Sequence, residues 1–220
     1  MIKERKEIIN SIKNKKIYLL RHGETKWNRE GRCQGILDSP LTDRGREQVR
    51  RNGILLRKYI SNIKKEDIQM YSSPLGRTKE SSEIILNELK WKVVDVIYDS
   101  NLQEGNLGSW AGKTKEEISK ENNVDFTNLG WYFNSPNGES YKDIEKRCSK
   151  WLSSISNIAK DNIILMTHGL VSIVLRGLIL DLDFKEAIQL KVPQKGFYFI
   201  NNGIINFITE EYDEFDSYSF

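Results

Sequence analysis

Histidine is scarce in this sequence: 220 residues carry two, His22 and His168. Cysteine is equally scarce, limited to Cys33 and Cys148. No apolar stretch in the basic N-terminal segment has the form of a signal-peptide core, so a disulfide framework is not expected and the thiols read as reduced. Two histidines without neighbouring ligand clusters argue against a catalytic metal centre, and neither metal nor cofactor is expected. No run of apolar residues reaches transmembrane length. Lys plus Arg (34) and Asp plus Glu (31) nearly cancel, and a net charge of +3 does not call for a nucleic acid or a membrane surface as partner. These absences leave a cytoplasmic α/β protein that handles a small anion, with a homodimer left open.

The residues present alternate between strand and helix signals. Residues 16–20 form a short apolar run that ends in Arg21-His-Gly23, which suits a buried strand entering a loop. Thr42 is placed to cap a helix reaching residue 59. Residues 68–71 read as strand, Ser72-Ser-Pro74 and Gly76-Arg77 open a helix to residue 89, and 93–98 read as a third strand. Helix signals return at 114–121 and 139–159, on either side of a polar, aromatic, loop-rich insertion at 122–138. Residues 162–166 make another buried strand, followed by an apolar helix over 170–182. The segments 197–200 and 204–208 flank Asn201-Asn-Gly203, a hairpin signal. This alternation predicts a three-layer α/β/α sandwich with a mostly parallel central sheet. Residues 1–15 form a basic extension, either a short amphipathic helix or a frayed tail, and 210–220 an acidic tail.

Each histidine stands at the end of an apolar strand, directly before glycine: Leu20-Arg-His22-Gly and Met166-Thr-His168-Gly. In open parallel sheets the carboxyl ends of strands face the ligand crevice, so the two can meet there although far apart in sequence. Either histidine alone reads equally well as a structural, hydrogen-bonded residue; the matched pair does not. Arg21 adjoins the first, and Arg77 begins a helix after a strand-to-helix loop. Guanidinium forks and helix-initial N–H groups suit phosphate oxygens.

Arg21-His-Gly-Glu-Thr25 with Trp27-Asn28 resembles the signature of the histidine phosphatase superfamily, phosphoglycerate-mutase-like branch. The resemblance continues through Gln34-Gly35, Asp38-Ser-Pro-Leu-Thr42, Ser72-Ser-Pro-Leu75 with Arg77, Leu102-Gln-Glu104, Trp110-Ala-Gly112, Pro136-Asn-Gly-Glu-Ser140 and Thr167-His-Gly169, covering about residues 16–209. It implies that His22 becomes phosphorylated, that Arg21, Arg77 and His168 bind the transferring phosphoryl group, and that Glu104 gives and takes protons. It further implies that Asn28, Gln34, Gly35 and Gly169 line the substrate pocket.

Other nucleophiles fit less well. Cys33 would need an arginine six positions on, where Ser39 stands. Gly112-Lys-Thr114 resembles the end of a P-loop, but Leu107 occupies the first glycine position. A phosphoglycerate mutase using the same phosphohistidine is the alternative enzyme, and a non-catalytic phosphate-binding protein the alternative of another class. The segment 102–110 looks phosphatase-like and the insertion lacks a paired-arginine segment, which favours hydrolysis of a small phosphorylated metabolite.

Overall fold

The computed structural model describes residues 2–92 and 95–210, with side chains from residue 5 onward. In chain order the elements are α1 (Ile2–Ser11), β1 (Lys16–Arg21), α2 (Lys26–Arg29), α3 (Asp43–Tyr59), β2 (Ile68–Ser72), α4 (Gly76–Leu89), β3 (Val96–Tyr98), α5 (Lys115–Glu121), α6 (Tyr141–Ser156), β4 (Asn162–Thr167), α7 (Gly169–Ile179), α8 (Phe184–Ala187), β5 (Phe197–Asn201) and β6 (Ile204–Ile208). The strand expected from residue 93 is described from Val96; residues 93 and 94 lie outside the described residues, as does the acidic tail beyond Glu210.

The six strands form one sheet in the order β3-β2-β4-β1-β5-β6. The pairs β3/β2, β2/β4 and β4/β1 are parallel, whereas β5 joins β1 antiparallel and continues into β6. The period-two alternation of a strand sends successive residues to opposite faces. Ile17, Leu19, Ile163 and Leu165 pack into one core with Trp151 of α6 and Val171 of α7. Tyr18, Leu20, Ile164 and Met166 pack into the other with Val49 and Leu56 of α3 and Ile85 of α4. A sheet buried on both faces explains why β1 and β4 read as continuous apolar runs. The expected three-layer sandwich is present, with the antiparallel β5–β6 hairpin completing one edge.

The cap expected at Thr42 is present, while the helices expected over 139–159 and 170–182 run over Tyr141–Ser156 and Gly169–Ile179. Thr42, Thr114 and Ser140 are the N-caps of α3, α5 and α6, each accepting a hydrogen bond from a first-turn backbone N–H. The hairpin turns through Asn202 and Gly203, both at positive φ (52° and 73°), as a two-residue turn requires. The basic extension includes α1, and it packs on the molecule through half-buried Ile8 of that helix and buried Ile12 just after it. Arg5 on α1 donates to the Leu182 carbonyl and pairs with Glu145 of α6. No helix among the described residues is long and apolar enough to cross a membrane.

Candidate active site

The parallel register of β1 and β4 pairs Arg21 with Thr167. His22 and His168 therefore follow side by side at the carboxyl edge of the sheet, their ring centroids 5.2 Å apart. Both rings are buried, at 2% and 0% exposure. The loop after β1 must turn sharply beneath α3: a Cβ on Gly23 would lie 2.2 Å from the Gly45 carbonyl oxygen, and one on Gly45 2.0 Å from that of Glu24. Only glycine permits this approach at either position.

Hydrogen bonds define the state of His22. Its Nδ1 lies 2.8 Å from the Gly23 carbonyl oxygen, which can only accept, so Nδ1 carries the proton. Arg77 Nε donates to Nε2 at 3.3 Å, so Nε2 carries the lone pair. Burial, then the positive charges of Arg77 and Arg21, hold the pKa of His22 well below the usual imidazole range, with the Gly23 carbonyl acting in the opposite sense. His168 is lowered in the same direction by burial and then by Arg77. Its Nε2 lies 2.7 Å from Ser73 Oγ, while its Nδ1 has no hydrogen-bond partner among the described residues.

Arg77, 1% exposed, is fixed from three sides. Nη2 donates to the Gly35 carbonyl (2.7 Å), and Nη1 donates to Leu37 (2.8 Å) and to Asp38 Oδ1 (3.2 Å). Asp38 also accepts from the backbone N–H groups of Gly76 and Arg77, capping α4 from outside its own sequence neighbourhood. Of five guanidinium protons, two on Nη1 and one on Nη2 are taken by these partners and the one on Nε faces His22 Nε2, which leaves one on Nη2 for an anion. Gly35 serves the site through its carbonyl and its positive φ of 57°.

Glu104 stands opposite, both carboxyl oxygens oriented by backbone donors: Oε1 by Gly105 N (3.0 Å) and Oε2 by Leu170 N (3.2 Å) in the first turn of α7. Gly169 separates Glu104 from Arg21, a Cβ there falling 3.7 Å from Glu104 Oε2 and from Arg21 Cζ. Burial lowers the pKa of Arg21 and of Arg77, and the Glu104 charge offsets this in each.

A cleft of about 710 Å³ opens over this cluster. Of the expected site residues, Arg21, His22, Asn28, Gln34, Gly35, Arg77 and Glu104 line it, while His168 and Gly169 stand directly behind the lining. Asn28 has two duties: its Oδ1 closes the capping box of α2 with Thr25, which leaves Nδ2 as its donor group. Gln34 is buried with Oε1 lacking a partner among the described residues. Cys33 also lines the cleft, but burial pushes its thiol up to about 11, away from thiolate chemistry.

Sequence reasoning did not find Tyr132, Arg44, Lys115 or Gln194, which also line the cleft. Tyr132 comes from the insertion, where a 3₁₀ turn over Leu129–Asn134 buries Trp131 and Phe133 in the core and leaves Tyr132 stacked on Trp131 at the cleft wall. Aromatic residues in an otherwise polar insertion were the available signal.

A neutral histidine flanked by buried guanidinium groups stands at the carboxyl edge of a doubly covered sheet, in an α/β protein whose cleft is lined by positive charge. The chain belongs to the histidine phosphatase superfamily, branch 1, whose family model matches residues 17–201. A probable phosphoglycerate mutase, GpmB, of Shigella boydii serotype 18 is 32% identical over 184 residues, 80% of either chain. Bacillus stearothermophilus YhfR superposes with a TM-score of 0.71 at 28% identity, over 89% of this chain and 96% of that one. A putative alpha-ribazole-5'-P phosphatase from Escherichia coli shares the fold, with a TM-score of 0.72 at 21% identity over 89% and 95% of the two chains.

Proposed function

We propose that this protein is a phosphatase that hydrolyses a small phosphorylated metabolite through a phosphohistidine on His22. The observation that carries the reading is the Nε2 lone pair of a neutral His22, held beside Arg77 with Nδ1–H tied to the Gly23 carbonyl. In the first step Nε2 attacks phosphorus and the bond to the leaving oxygen breaks, with protonated Glu104 supplying its proton. The ring then bears a positive charge that the Gly23 carbonyl supports through Nδ1–H. In the second step water attacks phosphorus, Glu104 takes the water proton, and the P–N bond returns its electron pair to Nε2.

Arg21, Arg77 and His168 would receive the equatorial oxygens, where preorganised donors favour the developing charge. Asn28 Nδ2 and Gln34 Oε1 would meet hydroxyl groups of the substrate, with Gly35 and Gly169 keeping the backbone clear. The arginines supply the charge compensation, so turnover is expected to persist in chelator. The test is rapid quench of a reaction run with radiolabelled substrate and chelator: label should be trapped on His22 as an acid-labile, alkali-stable phosphoramidate, absent from His22→Ala. Near wild-type turnover by His22→Ala would sink the mechanism.

The 32% identical GpmB relative, named a probable phosphoglycerate mutase, favours a second reading in which the phosphoryl group returns to another hydroxyl. Phosphorus NMR of a phosphoglycerate incubation separates the two, since hydrolysis releases inorganic phosphate and mutase action yields an isomer.

A further inference from the structure

Between α8 and β5 the chain passes through residues 191–196, Lys-Val-Pro-Gln-Lys-Gly, without regular secondary structure. Side chains from four elements nevertheless hold its backbone. Arg176 on α7 donates from Nη2 to the Lys191 carbonyl (2.7 Å), and Tyr198 on β5 donates its hydroxyl to the same oxygen (2.8 Å). Arg21 at the end of β1 donates from Nη1 to the Val192 carbonyl (2.5 Å). Asn52 on α3 donates from Nδ2 to the Gln194 carbonyl (2.9 Å) and accepts from Gly196 N (2.6 Å). Gln194 reaches back to the site, its Nε2 donating to the His22 carbonyl (3.3 Å). Pro193 fixes its own φ and restricts Val192, so the strap has little freedom between these anchors.

Arg176 is the anchor with no other evident purpose. It is 3% exposed and has no carboxylate partner among the described residues. Its charge rests on the Ser172 and Lys191 carbonyls and on the face of Tyr198, 4.0 Å away. A methionine would fill similar space without desolvating a cation. What the guanidinium adds is the bond to Lys191, one residue before the carbonyl that holds Arg21.

We propose that Arg176 is a positioning residue: by pinning the strap at Lys191 it sets the Val192 carbonyl, which orients the Arg21 guanidinium for a bound phosphate. This rests on the reading of Arg21 as an anion-binding group, but not on phosphorylation of His22. Binding of inorganic phosphate, with no turnover, is therefore the proper readout.

The experiment is a double-mutant cycle on the full chain, with phosphate affinity measured by calorimetry and folding checked by circular dichroism. Arg176→Gln is expected to weaken phosphate binding by about tenfold, the scale of a displaced charge-assisted hydrogen bond, and Arg176→Lys to restore most of it. Once Arg21 is replaced by Ala, adding Arg176→Gln should weaken binding by less than about twofold more, because the two residues act as one unit. A folded Arg176→Gln with wild-type phosphate affinity, or full additivity with Arg21→Ala, would overturn the proposal; a merely structural Arg176 would lower the melting temperature alone. If Arg176→Gln does not fold, Tyr198→Phe takes its place in the same cycle, with an expected loss of about threefold and the same criterion. Absence of phosphate binding in the wild type would instead defeat the anion-site reading beneath the proposal, a separate failure.

Discussion

Arg77 shows how much of the site depends on the shape of a side chain as distinct from its charge. Its fork satisfies two backbone carbonyls and a carboxylate while keeping Nε–H against His22. A lysine would keep the charge but offers a single ammonium, which cannot meet Gly35, Leu37 and Asp38 together and still face a phosphoryl oxygen. Arg77→Lys is expected to lower kcat/KM roughly 10²–10³-fold, the range for one lost preorganised donor, and to lower the melting temperature, since buried carbonyls lose their partners. Steady-state kinetics within tenfold of wild type would show that positive charge alone suffices there. Arg77 itself was legible in the sequence from its place after Ser-Ser-Pro at a helix start. Its three partners were not, because they lie about forty residues away and only the fold brings them under the guanidinium.

At the scale of elements, the site depends on α3 pressing against the loop that leaves β1. The Glu24 carbonyl accepts from Thr42 N at 2.9 Å, so this loop cannot retreat from a side chain at Gly45 without giving up the cap of α3. Gly45→Ala is accordingly expected to displace the backbone next to His22, reducing kcat/KM by more than about tenfold and lowering the melting temperature. Arg50→Ala, on the exposed side of the same helix, should leave kcat/KM unchanged. Equal kinetics for the two variants would show that the loop yields without consequence. Strands β1 and β4 and the cap Thr42 were readable because their signals are local: apolar runs and a capping residue next to the helix it starts. The hairpin was readable from Asn-Gly, but its antiparallel place beside β1 was not, since pairing partners leave no local mark. The four-residue helices α2 and α8 are too short to carry a helical period, and tertiary packing sustains them. The strap at 191–196 escaped for the same reason as the partners of Arg77: apart from the Tyr198 hydroxyl of the adjoining β5, its bonds run to α7, β1 and α3, which are distant in sequence.

For the molecule as a whole, the two histidines are the only side chains with an ordinary pKa near 6.5, and both are buried in the native state with their pKa values lowered. Unfolding exposes them to water. Well above pH 6.5 neither state protonates them and they leave stability independent of pH. As pH falls below 6.5 the unfolded chain takes up protons that the native site refuses, so stability declines until the low native pKa values are reached. The unfolded pKa sets the ceiling on this loss between pH 7.5 and pH 5.5, about 1.4 kcal/mol for each histidine and ~2.8 kcal/mol for the pair. Urea denaturation in phosphate-free buffer at these two pH values measures the loss. His168→Gln should roughly halve it, whatever that substitution does to stability at pH 7.5, because the comparison is made within each variant. No loss in the wild type would mean that the native site accepts a proton near neutrality, and the neutral nucleophile assigned to His22 would have to be abandoned; the same loss in His168→Gln as in the wild type would mean instead that His168 does not resist protonation in the native site and that the loss belongs to His22.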